Sequence, residues 1–123
     1  MDTRRAARIA IFLAGSLLAA PFPVLAEPRR VDFIDLATDI ASMGGIEVDV
    51  SAVAMPFSGL LILQRAPHEV AVQIYTNIDA IPREQRRKIM DRCGTPCRVT
   101  IVGKIGTIEL FGQGVIATSV SIR

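Results

Sequence analysis

Cys93 and Cys97 are the only cysteines of the chain, four positions apart in the stretch RCGTPCRVTIVGKIG that begins at Arg92. A pair at this spacing has three uses: thiol redox chemistry, metal binding, or a structural disulfide. A metal site needs further thiolate or imidazole ligands, and the chain has one histidine, His68. A redox thiol is favoured by a helix N-terminus, whereas Cys93 falls in the last turn of a predicted helix. We therefore predict a structural Cys93–Cys97 disulfide, with redox or metal handling as the alternative.

The acidic residues and the single histidine form no catalytic set. Asp32, Asp35 and Asp39 share one side of a predicted helix, where carboxylates could hold a cation but are more commonly solvated. Glu47 and Asp49 both point outward from one predicted strand, and nothing else supports general acid–base work by this pair. No nucleophile–base–orienter triad and no Gly-x-Ser-x-Gly stretch is present. We expect no catalytic residue, no metal ion and no cofactor, and hence a protein that is not an enzyme.

The stretch IPREQRRKIMDRCG predicts a helix with Pro82 in its first turn and Ile89, Met90 and Cys93 on one side. Its basic residues outnumber its acidic ones, which is either a solvated face or a contact surface for an anionic partner. The hypothetical interaction surface consists of Arg83, Arg86, Arg87 and Lys88.

Residues 1–26 have the anatomy of a secretory signal peptide. Three arginines precede an apolar run at Ile9–Ala20, and the residues VLA at 24–26 match the small-x-small pattern before a cleavage site. The run is shorter than the roughly 20 residues that span a bilayer. The sequence predicts Sec export, cleavage after Ala26, and a periplasmic or secreted protein with no membrane span after cleavage.

The charge of the chain argues against nucleic acid as a partner. Of the 14 basic and 12 acidic residues, three arginines and one aspartate lie in the predicted signal peptide, so the rest of the chain is neutral. Nucleic-acid binding normally needs a net basic footprint and aromatic rings for base stacking. After residue 26 the aromatic residues are few: Phe33, Phe57, Tyr75 and Phe111. A protein, peptide or glycan partner is expected instead.

The elements that would position these residues follow from the hydrophobic period. Helical spacing predicts a helix at Val31–Met43, stopped by Gly44-Gly45. Alternation of period two then predicts five strands, in the stretches IEVDVSAVA, LLILQ, EVAVQIYT, CRVTIVGKI and GVIATSVSIR. The basic helix lies between the third and the fourth. The third strand is expected to place Val70, Val72 and Ile74 on one face, and the last to carry Ile116, Val120 and Ile122.

This order resembles the OB-fold, a five-stranded Greek-key barrel with a helix between strands three and four, as in small secreted bacterial OB-type domains. The resemblance covers Ile46–Arg123 and rests on element order and on glycines such as Gly103, which would let a strand bend at a barrel corner. It implies a mainly β domain at 46–123, preceded at 27–45 by a linker and an extra N-terminal helix. A five-stranded α+β sandwich is the competing fold.

The resemblance also implies where a ligand would lie. OB barrels bind across strands two and three, between the loops that join strands one to two and four to five. Those loops are predicted at Met55–Gly59 and Gly106–Gly114, and each contains one phenylalanine that either faces out or caps a barrel end. The hypothetical ligand-binding residues are Phe57, Gln73, Tyr75 and Phe111.

The expected function is that of an exported, non-enzymatic binding or interaction domain, with a peptide or glycan as ligand. Two alternatives stay open: a redox or metal-handling accessory protein that works through Cys93 and Cys97, and a subunit of a secreted oligomeric assembly.

Overall fold

The computed structural model describes residues 27–123, and the predicted signal peptide lies outside the described residues. The elements in chain order are β1 (Arg29–Val31), α1 (Phe33–Asp39), a 3-10 helix (Ile40–Ser42), β2 (Glu47–Phe57), β3 (Leu60–Gln64), β4 (Ile74–Asn77), α2 (Arg83–Arg92), β5 (Cys97–Ile108) and β6 (Gly112–Ile122). None of the helices in this range is long and apolar enough to cross a bilayer.

Five strands close into a barrel in the order β2-β3-β4-β6-β5, because β5 pairs with β2 as well as with β6. The pairing of β4 with β6 is parallel, and the other pairings within the barrel are antiparallel. A three-stranded meander, a helix and two further strands make the OB-like barrel that the sequence predicts, so the fold class is confirmed. The competing sandwich is wrong, because the β2–β5 ladder closes the sheet on itself.

The interior of the barrel is filled by aliphatic side chains. Every strand of the barrel contributes, with residues that include Val50, Leu61, Ile74, Ile101 and Val115.

The segment before the barrel contains a strand that the sequence did not indicate. Residues 29–31, expected as the end of a linker and the start of a helix, pair in parallel with residues 48–50 of β2. Helix α1 begins after Asp32, whose carboxylate accepts hydrogen bonds from the N–H groups of Ile34 (3.0 Å) and Asp35 (3.4 Å). This N-cap satisfies N–H groups that a helix start leaves without partners.

The turn predicted at Met55–Gly59 is shorter than expected. Strand β2 continues to Phe57, and the hairpin has two central residues, Ser58 and Gly59, with φ of 51° and 84°. Two positive φ values define the type I′ turn that suits a tight hairpin. Pro56 misled the prediction, since proline usually ends a strand. It is tolerated because the pairing of β2 with β5 has already ended at that point.

Strand β4 is shorter than the predicted EVAVQIYT stretch and begins only at Ile74. Val70 is 69% exposed whereas Ile74 is buried, so the prediction that they share one face of a strand was wrong. Residues 65–73 form a loop, in which Arg65 and Glu69 make an ion pair of 2.8 Å. The hydrogen bond that Arg65 donates to the Glu69 carboxylate, together with the negative charge of that carboxylate, raises the pKa of Arg65 above its ordinary value. Alternation predicted a strand here, but the chain turns back before it pairs.

The glycine-rich loop predicted at Gly106–Gly114 is mostly paired strand. The β5–β6 ladder continues to the pair Ile108 and Gly112, so only residues 109–111 form the turn. Strand ends rich in glycine have weak apolar alternation, which is the signal that the prediction used.

A β-bulge changes which side chains of β6 face the core. The pairing with β5 skips Thr118 next to Gly103. A Cβ atom at Gly103 would overlap the backbone of Ile116 and Ala117, so this corner needs glycine. The extra residue inverts the alternation before the bulge. Val120 is therefore buried, whereas Ile116 is 37% exposed, although both lie in the predicted last strand.

Helix α2 packs against β6 and adds Ile89 and Cys93 to the core. The side-chain carbonyl of Gln85 accepts a hydrogen bond of 2.8 Å from the backbone N–H of Val120. Met90 is 59% exposed whereas Ile89 and Cys93 are buried, so the prediction that the three share one side was wrong. Successive helical residues are rotated by about 100°, and Met90 therefore turns away from the face that Ile89 presents.

Candidate binding face

Cys93 and Cys97 form a disulfide, as predicted, with Cα atoms 5.1 Å apart. Cys93 caps the C-terminus of α2 through a hydrogen bond from its N–H to the carbonyl of Ile89 (2.9 Å). Cys97 is the first residue of β5. The Cys93 side chain is fully buried and belongs to the core. The bond therefore joins the end of α2 to the start of β5, and its Cys93 side is inaccessible to solvent.

Tyr75 of β4 and Phe111 of the β5–β6 turn are in contact. Their rings stack with centroids 4.2 Å apart and planes inclined by 22°. Tyr75 is half-buried, and Phe111 keeps 39% of its surface exposed. Two elements that are distant in sequence thus form one aromatic platform on the outside of the barrel.

A strip of outward-facing side chains lies beside this platform. Phe57 pairs with Leu60, Leu60 with Asn77, and Asn77 with Ile116, across β2, β3, β4 and β6. Leu60, Asn77 and Ile116 each adjoin a core residue along the chain, so alternation directs them outward. Phe57 lies three positions from the core residue Ala54 and faces outward for the same reason. Phe57 is 47% exposed and Ile116 37%. We call Phe57, Leu60, Asn77 and Ile116 the outer strip; three of its four members are apolar.

Glycine at position 114 allows the platform to form. A Cβ atom there would overlap the backbone carbonyl of Tyr75 and would lie 2.6 Å from Cγ1 of Ile108. Ile108 is buried, yet it is not part of the barrel core. Strand β6 consequently approaches β4 closely at this point, and Phe111 reaches Tyr75 from the turn just before β6.

The β5–β6 turn holds a leucine in an unfavourable backbone conformation. The N–H of Phe111 donates to the carbonyl of Ile108 (3.0 Å), and Leu110 is the third residue of this turn with φ 75°. Glycine or asparagine suits that position, and a left-handed conformation costs other residues about 1 kcal/mol or more. Leu110 is also 93% exposed, so no packing offsets the cost. Strain of this kind is concentrated at binding sites.

The hypothetical ligand-binding residues are only partly brought together. Tyr75 and Phe111 touch, and Phe57 lies two strands from Tyr75 in the outer strip. Gln73 is half-buried in the loop just before β4, outside the predicted strand. Phe57 and Phe111 are both exposed, so the alternative in which they fold inward and cap the barrel ends is wrong.

Sequence reasoning missed Leu60, Asn77, Ile116 and Leu110 as part of this face. The first three become outward neighbours only through strand register. For Leu110, the residue order Glu-Leu-Phe-Gly could have indicated a strained turn. The chain must turn in this stretch, and leucine occupies a turn position that favours glycine.

The basic residues of the predicted interaction surface differ in their exposure. Arg83, Arg87 and Lys88 are exposed on α2. Arg86 is half-buried, and its guanidinium donates to the backbone carbonyls of Asp79 (3.0 Å) and Ile81 (3.1 Å). Arg86 therefore fastens the segment before α2, while the others project from the helix.

The carboxylates of the predicted α1 and β2 segments do not form a cation site, because some have other partners and the rest lie apart. Asp32 caps α1, and Asp49 lies 3.8 Å from Arg30 in an ion pair. Between residues 27 and 123, no three His, Cys, Asp or Glu side chains are grouped as a metal site would require.

No protein-family model matches the chain, and no curated protein does. Solved structures are similar in fold. Asparaginyl-tRNA synthetase from Pyrococcus horikoshii gives a TM-score of 0.51 at 14% identity, over 75% of this chain and 22% of the synthetase chain. Its complex with asparaginyl-adenylate gives 0.52 at 14% identity, over 76% of this chain and 22% of that one. OBody AM3L15, bound to hen egg-white lysozyme, gives 0.50 at 14% identity, over 70% of this chain and 89% of the OBody.

At this identity the likeness shows the fold alone, and the fold is the OB barrel. The chain spans far less than two thirds of the synthetase, so nothing about the activity of the synthetase applies to it.

Proposed function

We propose that this chain is an exported, non-enzymatic binding domain that holds an apolar peptide segment against the outer strip and the Tyr75–Phe111 platform. The observation that carries this function is the exposed, stacked aromatic pair beside Leu110, whose backbone strain has no folding benefit. Large apolar side chains that fold into no core are the usual anchors of a binding surface. An OBody with a similar barrel is bound to a protein, lysozyme, which supports a protein-binding role for a surface on this fold.

A peptide fits this face better than a glycan. A sugar needs several free hydrogen-bonding groups around an aromatic ring, because its hydroxyl groups must be satisfied when they are buried. Here the amide of Asn77 is already bound to Asp79, through the Asp79 N–H (2.9 Å) and the Asp79 carboxylate (3.4 Å). Phe57, Leu60 and Ile116 offer only apolar contact. Such a face selects aliphatic and aromatic side chains of a peptide.

Export is part of the proposal. The pattern of residues 1–26 predicts it, and a disulfide is a bond that persists in oxidising compartments such as the periplasm. Cys93 is fully buried, which protects its own sulfur atom from thiol–disulfide exchange and favours a structural bond, whereas Cys97 is half-buried.

A phage-displayed library of random linear peptides tests the binding role. We expect enrichment of peptides rich in aliphatic and aromatic residues, and an approximately tenfold loss of affinity in Phe111→Ala, which corresponds to about 1.4 kcal/mol. Met90→Ala is the matched control, because Met90 is also exposed and apolar but lies on α2. Equal affinity of Phe111→Ala and the control would refute the proposed face. Binding of glycans but not peptides, with the same loss of affinity in Phe111→Ala, would support the proposed face but show that its ligand is a glycan.

A further inference from the structure

Part of the positive charge on helix α2 lies where it reduces the stability of the helix. Arg83, Arg86 and Arg87 all lie in its first half, next to the positive end of the helix dipole. Arg83 and Arg87 are also one turn apart, a spacing at which like charges repel. The ion pairs found within residues 27–123 do not involve Arg83 or Arg87. The arrangement therefore opposes folding and leaves two arginines available for an anionic partner.

These arginines line a surface groove of about 330 Å³. Its other lining residues are Arg86, Met90 and Asp91. Arg86 is fixed by the carbonyls of Asp79 and Ile81, so one wall of the groove is rigid before any partner arrives. Exposed Met90 supplies an adaptable apolar contact. We call this the basic groove.

An oppositely charged groove lies on another element of the same chain. Helix α1 contains acidic but no basic residues, and Asp35 and Asp39 line a groove of about 270 Å³ together with Ser42, Leu36 and Met43. Arg29 at its rim is the one basic lining residue. Asp32 is occupied as the N-cap of the helix, whereas Asp35 and Asp39 make no ion pair within residues 27–123. We call this the acidic groove.

We propose that copies of this chain associate head to tail, with the basic groove of one copy against the acidic groove of the next. Charge complementarity identifies the occupant: residues 27–123 are neutral overall, basic residues outnumber acidic ones on α2, and the charged residues of α1 are all acidic. Different patches meet at each contact, so the interface is heterologous and can extend into rings or short chains. This association does not depend on the peptide-binding face.

Light scattering of the purified protein at low and high salt tests the association. Exposed ion pairs are screened beyond a Debye length of about 10 Å at 0.1 M salt. At about 0.02 M salt we expect a weight-average mass about twofold or more above that of the monomer, falling to the monomer at about 0.5 M. A monomer at both salt concentrations would overturn the proposal.

Charge reversal identifies the two grooves. Arg83→Glu with Arg87→Glu, and separately Asp35→Lys with Asp39→Lys, should each yield monomers at low salt, because both grooves then have one sign. A mixture of the two variants should assemble again, since each reversed groove meets a complementary one on the other variant. Arg98→Glu with Lys104→Glu is the matched control on exposed positions of β5 and should assemble as the unaltered protein does. Failure of the mixture to assemble, with circular dichroism showing folded variants, would overturn the proposal.

Discussion

The rings of Tyr75 and Phe111 stack with centroids 4.2 Å apart, although one belongs to β4 and the other to the turn between β5 and β6. Stacked aromatic pairs stabilise by about 0.5–1.5 kcal/mol beyond the area they bury. This pair therefore anchors the turn to the barrel, and it also leaves part of Phe111 open to solvent. The same contact fixes the platform in place and limits its motion.

Replacement of the two exposed phenylalanines should affect stability little. We expect Phe57→Ala to leave the melting temperature nearly unchanged, because Phe57 is 47% exposed. Phe111→Ala should lower the free energy of unfolding by about 1 kcal/mol, through loss of the stack. Thermal unfolding followed by circular dichroism measures both. A drop of many degrees in Phe57→Ala would mean that its ring stabilises the fold, and Phe57 would have to be removed from the binding face.

Loss of the disulfide should weaken the domain without unfolding it. Cys93→Ala with Cys97→Ala is expected to lower the free energy of unfolding by about 2 kcal/mol, the value for a bond that closes so short a loop. Urea denaturation, with and without reductant, measures the difference. A double variant as stable as the parent but inactive in cells would instead favour redox chemistry at this pair.

Gly114→Ala should be strongly destabilising. The added methyl group would overlap the carbonyl of Tyr75 and press on Ile108, and overpacking against backbone costs about 1–3 kcal/mol. The control is Gly94→Ala, where an added Cβ meets nothing within 4 Å and φ is not positive. We expect Gly94→Ala to stay within about 0.5 kcal/mol of the parent. Equal unfolding midpoints in urea for the two variants would show that β4 and β6 are not in close contact.

Leu110→Asn should stabilise the protein and weaken peptide binding. Asparagine adopts the left-handed conformation at lower cost than leucine, so we expect a gain of about 0.5–1 kcal/mol in the free energy of unfolding. The exposed apolar contact of Leu110 is lost at the same time, which should reduce affinity for an enriched peptide. Calorimetry for stability and titration for affinity measure the two effects. A stabilised variant with full affinity would exclude Leu110 from the binding face.

The exported protein should begin at Glu27. Signal peptidase cleaves after a small-x-small pattern, which here ends at Ala26. Intact-mass spectrometry of protein recovered from the periplasm or the medium determines the N-terminus. Detection of Met1 on that protein would refute cleavage, and an acylated N-terminal residue would indicate a lipid anchor instead.

The sequence predicted those features that depend on local periodicity. The order of barrel elements, the limits of β3 and the Cys93–Cys97 bond all follow from hydrophobic alternation and from cysteine position. Features that depend on pairing were not predictable. The phase of Ile116 depends on a bulge at Thr118, which only the partner strand reveals.

The candidate site shows the same division. The aromatic residues could be selected by type and predicted loop, because aromatic residues are scarce in this chain. Their actual neighbours could not, since Tyr75 meets Phe111 only through the parallel approach of β6 to β4. The charges on α1 and α2 were visible in the sequence, but the grooves that hold them are a product of tertiary packing.

The position of Cys97 affects local opening of the barrel. Cys97 pairs with Ala54, the last pair in the ladder where β2 and β5 close the barrel. Paired strands separate most readily at the ends of a ladder, and separation of β2 from β5 would expose the barrel interior between them. The disulfide fastens this end to α2, whose Ile89 is buried in the core. The disulfide therefore restrains this end of the β2–β5 ladder. While it is intact, separation of β2 from β5 must begin at another point or displace α2 as well.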